Sequence, residues 1–417
     1  MSENKIMSSY LEKRALYPRL IDISPLEDVS MILIIPCYHE ENPILALESL
    51  MKTTSISSSI EIILILNYPY KYAKLERDFH IKQHHEILNW IDNNKREKIS
   101  IHCPSPIELE SNHTGVGLAR KIGMDEAARR YNFLNKTDGI IINFDADCLC
   151  HQDYFMEIEK YFKLEKSKSC IGIGFVHVID ELNINESKAI IDYELHLRYY
   201  IQAQKQINYP FAFHILGSCF AVRAVSYCEQ GGMNQRQAGE DFYFMHKFSV
   251  INELDEIKKV LVYPSARVSD RVPFGTGKAI SQYLETGFQK TYALDSILLF
   301  GQLIKCIGSF YTYTEAEIIT QLNHIHPGLA HYFISEGFLT EIKLCKKNCK
   351  HTNSFHKRLL RWLNPFRLMK YLHEMREHGF SDQEVSIEAR KLLTLMNEDV
   401  TSDSSNLSLL KRYRGMI

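Results

Sequence analysis

The run Gly139–Phe144, GIIINF, passes straight into Asp145-Ala146-Asp147, and its reading decides the fold. A short, near-continuous apolar run is what a strand covered on both faces requires. In a parallel sheet, ligands sit beyond the carboxyl ends of the strands. A strand ending in D-A-D therefore delivers two carboxylates to that edge, and the strand period of two points both to one side. Two hard oxygen ligands suit Mg²⁺ or Mn²⁺ beside a diphosphate, with phosphate and water oxygens completing the octahedron. The competing reading has one Asp capping the next helix, His151–Leu164, and leaves the other solvated.

Outward from this strand, the same pattern recurs. Met31–Pro36 (MILIIP), Ile60–Leu66 (IEIILIL) and Ile99–Cys103 (ISIHC) precede it as strands. Helical stretches at Pro43–Lys52, within Lys71–Asn93 and at Gly117–Tyr131 separate them. Such alternation implies βαβ units and a largely parallel sheet. Ser169–Val178, His214–Val222 and a short Val260–Tyr263 read as further strands, with a long helix at Glu186–Gln206. After about residue 280 the strand signal ends and helical segments follow one another. Ser381-x-x-Glu384 and Thr314-x-x-Glu317 carry the capping-box pattern there. The expected architecture is thus α/β, a mostly parallel nucleotide-binding sheet flanked by helices, with an all-helical C-terminal appendage. Residues 1–29 read as an N-terminal extension, 30–280 as the catalytic domain and 281–417 as the helical region.

Bulk properties narrow the class. A formal charge of −2 over 417 residues gives no global pull toward nucleic acid. The N-terminus lacks an apolar signal core, and no window reaches the roughly 18 apolar residues of a membrane span. Ten cysteines without export signals read as reduced thiols in a cytoplasmic protein. Cys345, Cys349, His351 and His356 are spaced C-x3-C-x-H, a poor match to zinc modules, and read as a solvated Lys-rich helix end. Phe355–His378 is basic and amphipathic, broken at Pro365. Packing of its apolar face is the expectation; a peripheral contact with an anionic membrane at the inner face is the alternative.

Three further motifs bear on chemistry. Pro36-Cys37-Tyr38-His39-Glu40 follows the first strand, and Glu40 faces the edge that carries the two Asp. A carboxylate there can accept bonds from a ribose or base, or merely complement the next helix dipole. Gly115-Val116-Gly117-Leu118-Ala119-Arg120-Lys121 opens a helix whose N-terminus favours an anion. Arg120 and Lys121 diverge by about 100°, so one of them faces the site. Arg120 stands where the third Gly of a dinucleotide fingerprint belongs, which excludes that motif. Gly239-Glu240-Asp241 opens an aromatic-rich helix, and a carboxylate near a cation can act as general base toward a hydroxyl.

The ordered set PCYHE, GVGLARKIG, DAD, GSCFAVR and GED resembles family 2 glycosyltransferases of the GT-A fold, in particular a bacterial branch, over roughly residues 30–280. The resemblance implies that Pro36, Tyr38 and Glu40 bind the nucleotide, that Asp145 and Asp147 hold the metal and diphosphate, and that Arg120 lines the donor site. It makes Asp241 the base of an inverting displacement, with Glu240 orienting the acceptor. Asn67 takes the place of the family's base-contacting Asp or Asn, though NYPY replaces the usual run of two Asp and a Gly. It also implies a nucleotide-sugar donor and a carbohydrate or lipid-linked acceptor. Arg267, Arg271 and Lys278 flank the loop Pro273-Phe274-Gly275-Thr276-Gly277, where cations can fold over a diphosphate. Ala279, in place of Ser or Thr, excludes a Walker A loop. No His lies between residues 247 and 323, so no metal-ligating His is assigned. The alternatives are a nucleotidyltransferase acting on sugar phosphates, which would need a Gly-rich loop after the first strand, and a sugar-nucleotide-binding scaffold without turnover.

Overall fold

The computed structural model describes residues 2–70, 73–109, 115–179, 182–235, 239–268, 275–399, 401 and 404–416. The chain opens with α1 (Glu3–Arg14) and then alternates β1 (Val29–Cys37), α2 (Ile44–Met51), β2 (Ser59–Pro69), α3 (Ala73–Asn93), β3 (Ile99–His102), β4 (Ile107–Leu109), α4 (Val116–Phe133) and β5 (Ile140–Asn143). There follow β6 (Leu149–Cys150), α5 (Tyr154–Leu164), β7 (Cys170–Phe175), α6 (Ile184–Gln206), β8 (Phe220–Arg223), α7 (Ala224–Glu229), α8 (Glu240–Val250) and β9 (Leu254–Tyr263). Contacts divide the chain into two compact units, Met1–Glu181 with Ile215–Gly275 and Leu182–His214 with Thr276–Ile417.

The first unit holds the large sheet, ordered β3-β2-β1-β5-β8-β7-β9-β6, with β4 continuing beside β2. Strands β3, β2, β1 and β5 are parallel, as the alternation demanded, and β8 runs antiparallel to both β5 and β7. Because β9 is parallel to β7, the carboxyl ends of β1, β5 and β9 all open on one edge. The start of the reversed β8 lies at that edge too. In β1, Met31, Ile32, Leu33, Ile34 and Ile35 are fully buried, consistent with cover on both faces. Each such side chain contributes about 1.5–3 kcal/mol relative to exposure. Helix α4 presses on this strand at Gly123, where an added Cβ would collide with Ile34.

Two strand readings change. Residues 214–219 are not strand: a turn closed by the Cys219 N–H on the Leu216 carbonyl (3.0 Å) precedes β8. Conversely, β9 begins at Leu254, six residues before its apolar end, because LDEIKK is half-exposed and hides its pairing behind charge. Residues 1–29 are part of the first unit. The Tyr10 hydroxyl of α1 donates to Asp125 (2.6 Å) and accepts from Lys121 Nζ (2.8 Å) on α4.

In the second unit, α6 clusters with the C-terminal helices rather than with the sheet. These are α9 (Thr276–Thr286), α10 (Leu294–Cys306), α11 (Glu315–Ile325), α12 (Pro327–Ser335), α13 (Phe338–Asn348), α14 (Thr352–Trp362), α15 (Pro365–Met375), α16 (Val385–Leu395) and α17 (Asn406–Gly415). A short ribbon, β10 (Lys290–Thr291) with β11 (Gln383–Glu384), interrupts the helices. Helix α17 docks on α6 through Arg414, which grips buried Glu194 (2.6 and 2.8 Å), and through Asn406 on Asp192 (2.7 Å). Thr314 and Glu317 form the expected capping box. Ser381 and Glu384 do not, since Glu384 pairs in the ribbon and itself precedes α16. Pro365 sits in the first turn of α15, and Phe355, Leu359, Leu368, Tyr371 and Leu372 are buried within the unit. The apolar stripe of this basic segment is a packing face. Among the described residues no helix is long and apolar enough to cross a membrane.

Candidate functional site

Three parallel strands and the turn before a reversed one converge on a single edge of the sheet, and the acidic motifs meet there. The Phe144 N–H donates to the Ile34 carbonyl (3.1 Å), which aligns the end of β5 with the end of β1. Asp145 and Asp147 lie in the turn beyond β5, not within the strand, so the pleat does not set their direction. Neither caps a helix, because Asp153 precedes α5. Their side chains are 34% and 29% exposed, enough to meet a ligand.

Two arginines tie the motifs together. Arg120, near the N-terminus of α4, is buried; its guanidinium donates to Asp145 Oδ1 (2.7 Å) and to Glu240 Oε1. Lys121 points away, to Tyr10 and Asp125, as the helical divergence required. Burial opposes the Arg120 charge, but Asp145, Glu240 and Asp241 together hold its pKa well up. The guanidinium lies against Gly217, where any Cβ would collide with it. Sequence reasoning missed Gly217; the signal was a glycine in the turn three residues before β8, within GSCFAVR.

Arg267, four residues beyond β9, donates through Nη1 to Glu40 Oε1 (2.6 Å) and through Nη2 to Glu40 Oε2. The same Nη2 stands 3.1 Å from Asp147 Oδ2. The sequence had placed this cation over a diphosphate, yet here it grips a carboxylate at each side. Glu40 is consequently buried with both oxygens engaged, which differs from an open acceptor for a ribose. The Nε atoms of both Arg120 and Arg267 are buried with no hydrogen-bond partner among the described residues.

Gly239 adopts a left-handed conformation (φ 71°) and starts α8, so that Glu240 and Asp241 enter the site from its first turn. Glu240 is buried, and Asp241 accepts the Phe242 N–H (2.7 Å). Burial and the neighbouring Glu240 push the Asp241 carboxyl up to about 6, with Arg120 opposing. Ionised, the five carboxylates Glu40, Asp145, Asp147, Glu240 and Asp241 face two guanidiniums, a surplus of three negative charges among the described residues.

That surplus and its hard oxygen atoms suit a divalent cation. Among the described residues no group of three or more His, Cys, Asp or Glu is arranged to hold one, so Asp145 and Asp147 would need the remaining ligands from a bound phosphate and water. The C-terminal Cys and His set fails the same criterion: Cys345 is buried with its thiol on Glu341 (3.3 Å).

The nucleotide-side residues are less open than expected. Pro36 is buried in β1, and Asn67 Nδ2 donates to the Cys37 and Ile65 carbonyls (3.3 and 3.2 Å). Tyr38 is half-buried and stacks on His80 (6.0 Å, 21°), which stacks in turn on Tyr68 (5.7 Å, 16°). Burial lowers His80 to about 4, keeping it neutral. Arg271 lies outside the described residues, and Lys278 is on α9 in the second unit.

No family model matches the chain, and no curated protein matches it. Among solved structures it is similar to S. aureus TarS 1–349 in complex with UDP-GlcNAc, at 12% identity over 84% of this chain and 93% of that one, with a TM-score of 0.42. The complex of the same TarS fragment with UDP matches at 12% identity over 84% and 92% of the two chains, with a TM-score of 0.40.

Proposed function

We propose that this chain transfers a glycosyl group from a nucleotide-diphosphate donor to a hydroxyl acceptor, with inversion. The observation that carries the reading is the meeting of the PCYHE, DAD and GED carboxylates at one sheet edge, where carboxylates outnumber guanidiniums among the described residues. Carboxylates in excess among the described residues disfavour a bare diphosphate, and a divalent cation would offset that repulsion. Asp145 and Asp147 would hold such an Mg²⁺ or Mn²⁺, which would stabilise charge on the leaving diphosphate. Arg120 fixes Asp145 and lines the donor side, while Pro36, Tyr38 and Asn67 border the nucleotide.

Asp241 takes the proton of the acceptor hydroxyl. A carboxyl raised to about 6 is ionised at neutral pH and more basic than an ordinary Asp. Glu240, held by Arg120, orients the acceptor. A base tuned toward working pH favours an enzyme over a sugar-nucleotide-binding scaffold. The acceptor is a carbohydrate or a lipid-linked saccharide. For the latter, the exposed Lys357, Arg358 and Arg361 of α14 offer an anionic membrane an electrostatic contact that uses no buried residue.

A thermal-shift panel of UDP-, GDP- and dTDP-sugars, each with and without Mn²⁺, tests the reading. One donor class should raise the melting temperature only with Mn²⁺, and Asp145→Ala should abolish the rise. No shift from any donor, or an undiminished shift in Asp145→Ala, rejects it.

A further inference from the structure

The DAD and GED motifs meet through one buried side chain. We infer that Arg120 is a positioning residue: it joins Asp145 to the first turn of α8 as one unit, and acts on the reaction through those carboxylates rather than on the donor phosphates. This deepens the glycosyl-transfer reading and rests on it.

Four observations carry the inference. Arg120 Nη2 donates to Asp145 Oδ1 (2.7 Å) and Nη1 to Glu240 Oε1, so the planar fork is committed to two different motifs. Second, the Arg120 side chain is 5% exposed and that of Glu240 2%, while Asp145 is 34% exposed. The link is thus sealed at the α8 end and open to a ligand at Asp145. Arg120 Nε is buried as well, with no partner among the described residues, so it is not presented to an incoming phosphate.

Third, the arm is held in place. Its guanidinium lies on Gly217, where a Cβ would collide with Cζ and both Nη atoms. Behind it, the next residue, Lys121, is tied to Asp125 (2.9 Å) and Tyr10 (2.8 Å), and Asp125 also accepts from the Tyr227 hydroxyl (2.6 Å). Those bonds fix the turn of α4 that carries Arg120. Fourth, α8 starts on Gly239, which has no side chain to cap it. The Arg120–Glu240 pair therefore anchors the turn that presents Asp241, and Asp145 and Asp241 move together or not at all. A misplacement of about 1 Å at a reacting group is enough to cost about 10²-fold.

The test is a mutant cycle on the full chain, reading Mn²⁺-dependent hydrolysis of UDP-N-acetylglucosamine, UDP-glucose, GDP-mannose and dTDP-glucose, with water as acceptor. Glu240→Met keeps the length of the side chain and removes the carboxylate. It should lower kcat about 10²-fold and leave the donor KM within about threefold of wild type. Arg120→Met alone should also lower kcat about 10²-fold. Groups that act as a unit are not additive, so the double variant should lose at most about 10³-fold, where independent groups would lose about 10⁴-fold. Arg120→Lys restores a charge that can hold one carboxylate but not bridge two, so its kcat should lie between those of Arg120→Met and wild type. Melting curves check that each variant folds; where a Met variant does not, Arg120→Lys and Glu240→Gln take its place in the cycle. Losses that multiply, or an Arg120→Met loss confined to a raised donor KM, overturn the positioning role and leave glycosyl transfer standing. Hydrolysis of none of the four donors by wild type overturns both.

Discussion

The two ends of α4 each carry an arginine on a carboxylate, and they are built differently. In the last turn, Arg130 donates Nε and Nη2 to Glu61 and Nη1 to the Ile23 carbonyl, while Glu61 also accepts the Leu26 N–H (3.0 Å). One cation meets one anion, and every guanidinium nitrogen has a partner. Near the N-terminus, Arg120 divides itself between Asp145 and Glu240, with Asp241 close by and Nε unmatched among the described residues. A closed pair of this kind is structure; an open one with anions in surplus is a place for a ligand.

Neutralising one anion at each end should separate stability from function. Asp241→Asn removes charge from the crowded end, so turnover should fall about 10²–10⁴-fold. Its melting temperature should hold or rise, because the site carries repulsion. A melting temperature that falls along with turnover would erase the distinction. At the other end, Glu61→Gln leaves Arg130 buried without its counter-charge. Urea unfolding should show a loss of about 3–5 kcal/mol, with turnover per folded molecule retained.

Much of the open end was legible in the sequence, and little of the closed one. The places of the D-A-D after GIIINF and of the E-D after Gly239 follow from strand order, and the divergence of Arg120 from Lys121 from the helical period. The direction of the two Asp does not, because they lie in the turn beyond β5. Glu61 was invisible because it sits inside an apolar run, IEIILIL, where its partner lies 69 residues away in an ordinary helix. Arg267 was legible as a loop cation, but its hold on Glu40 depends on β9 running parallel to β7 behind the reversed β8. Local pattern does not encode that crossover. Nor does it encode the membership of α6 in the second unit, which rests on Glu194 and Asp192 meeting Arg414 and Asn406 over 200 residues away.

Gly217→Ala probes the open end without touching a charge. The new methyl must push the Arg120 guanidinium aside, and overpacking of this kind costs about 1–3 kcal/mol. Displacing Arg120 misaligns Asp145 and Glu240 together, so kcat should fall roughly tenfold, the lower part of the range that such a cost allows. Full wild-type kcat in Gly217→Ala would show that Arg120 merely fills space.

The smallest effect comes from pH, and its sign can be worked out. Burial and Glu240 hold Asp241 near 6, against an ordinary 3.8. As base it works ionised, so kcat/KM should be flat above pH 7, half-maximal near 6 and about one-tenth at pH 5. The same raised value acts on folding in the opposite sense. Below pH 3.8 the group is protonated in both states and contributes nothing to the difference. Between 3.8 and 6 the folded chain binds more protons than the unfolded one, so this group's contribution to stability declines as pH rises through that window. Measured against Asp241→Asn, wild type should therefore lose stability across that window as it gains activity. Asp241→Asn, which cannot titrate, should show no such opposed trend. Stability profiles that coincide for wild type and Asp241→Asn between pH 3.8 and 6 would show that Asp241 is not raised, and a kcat/KM profile without a limb near pH 6 would remove it from the role of base.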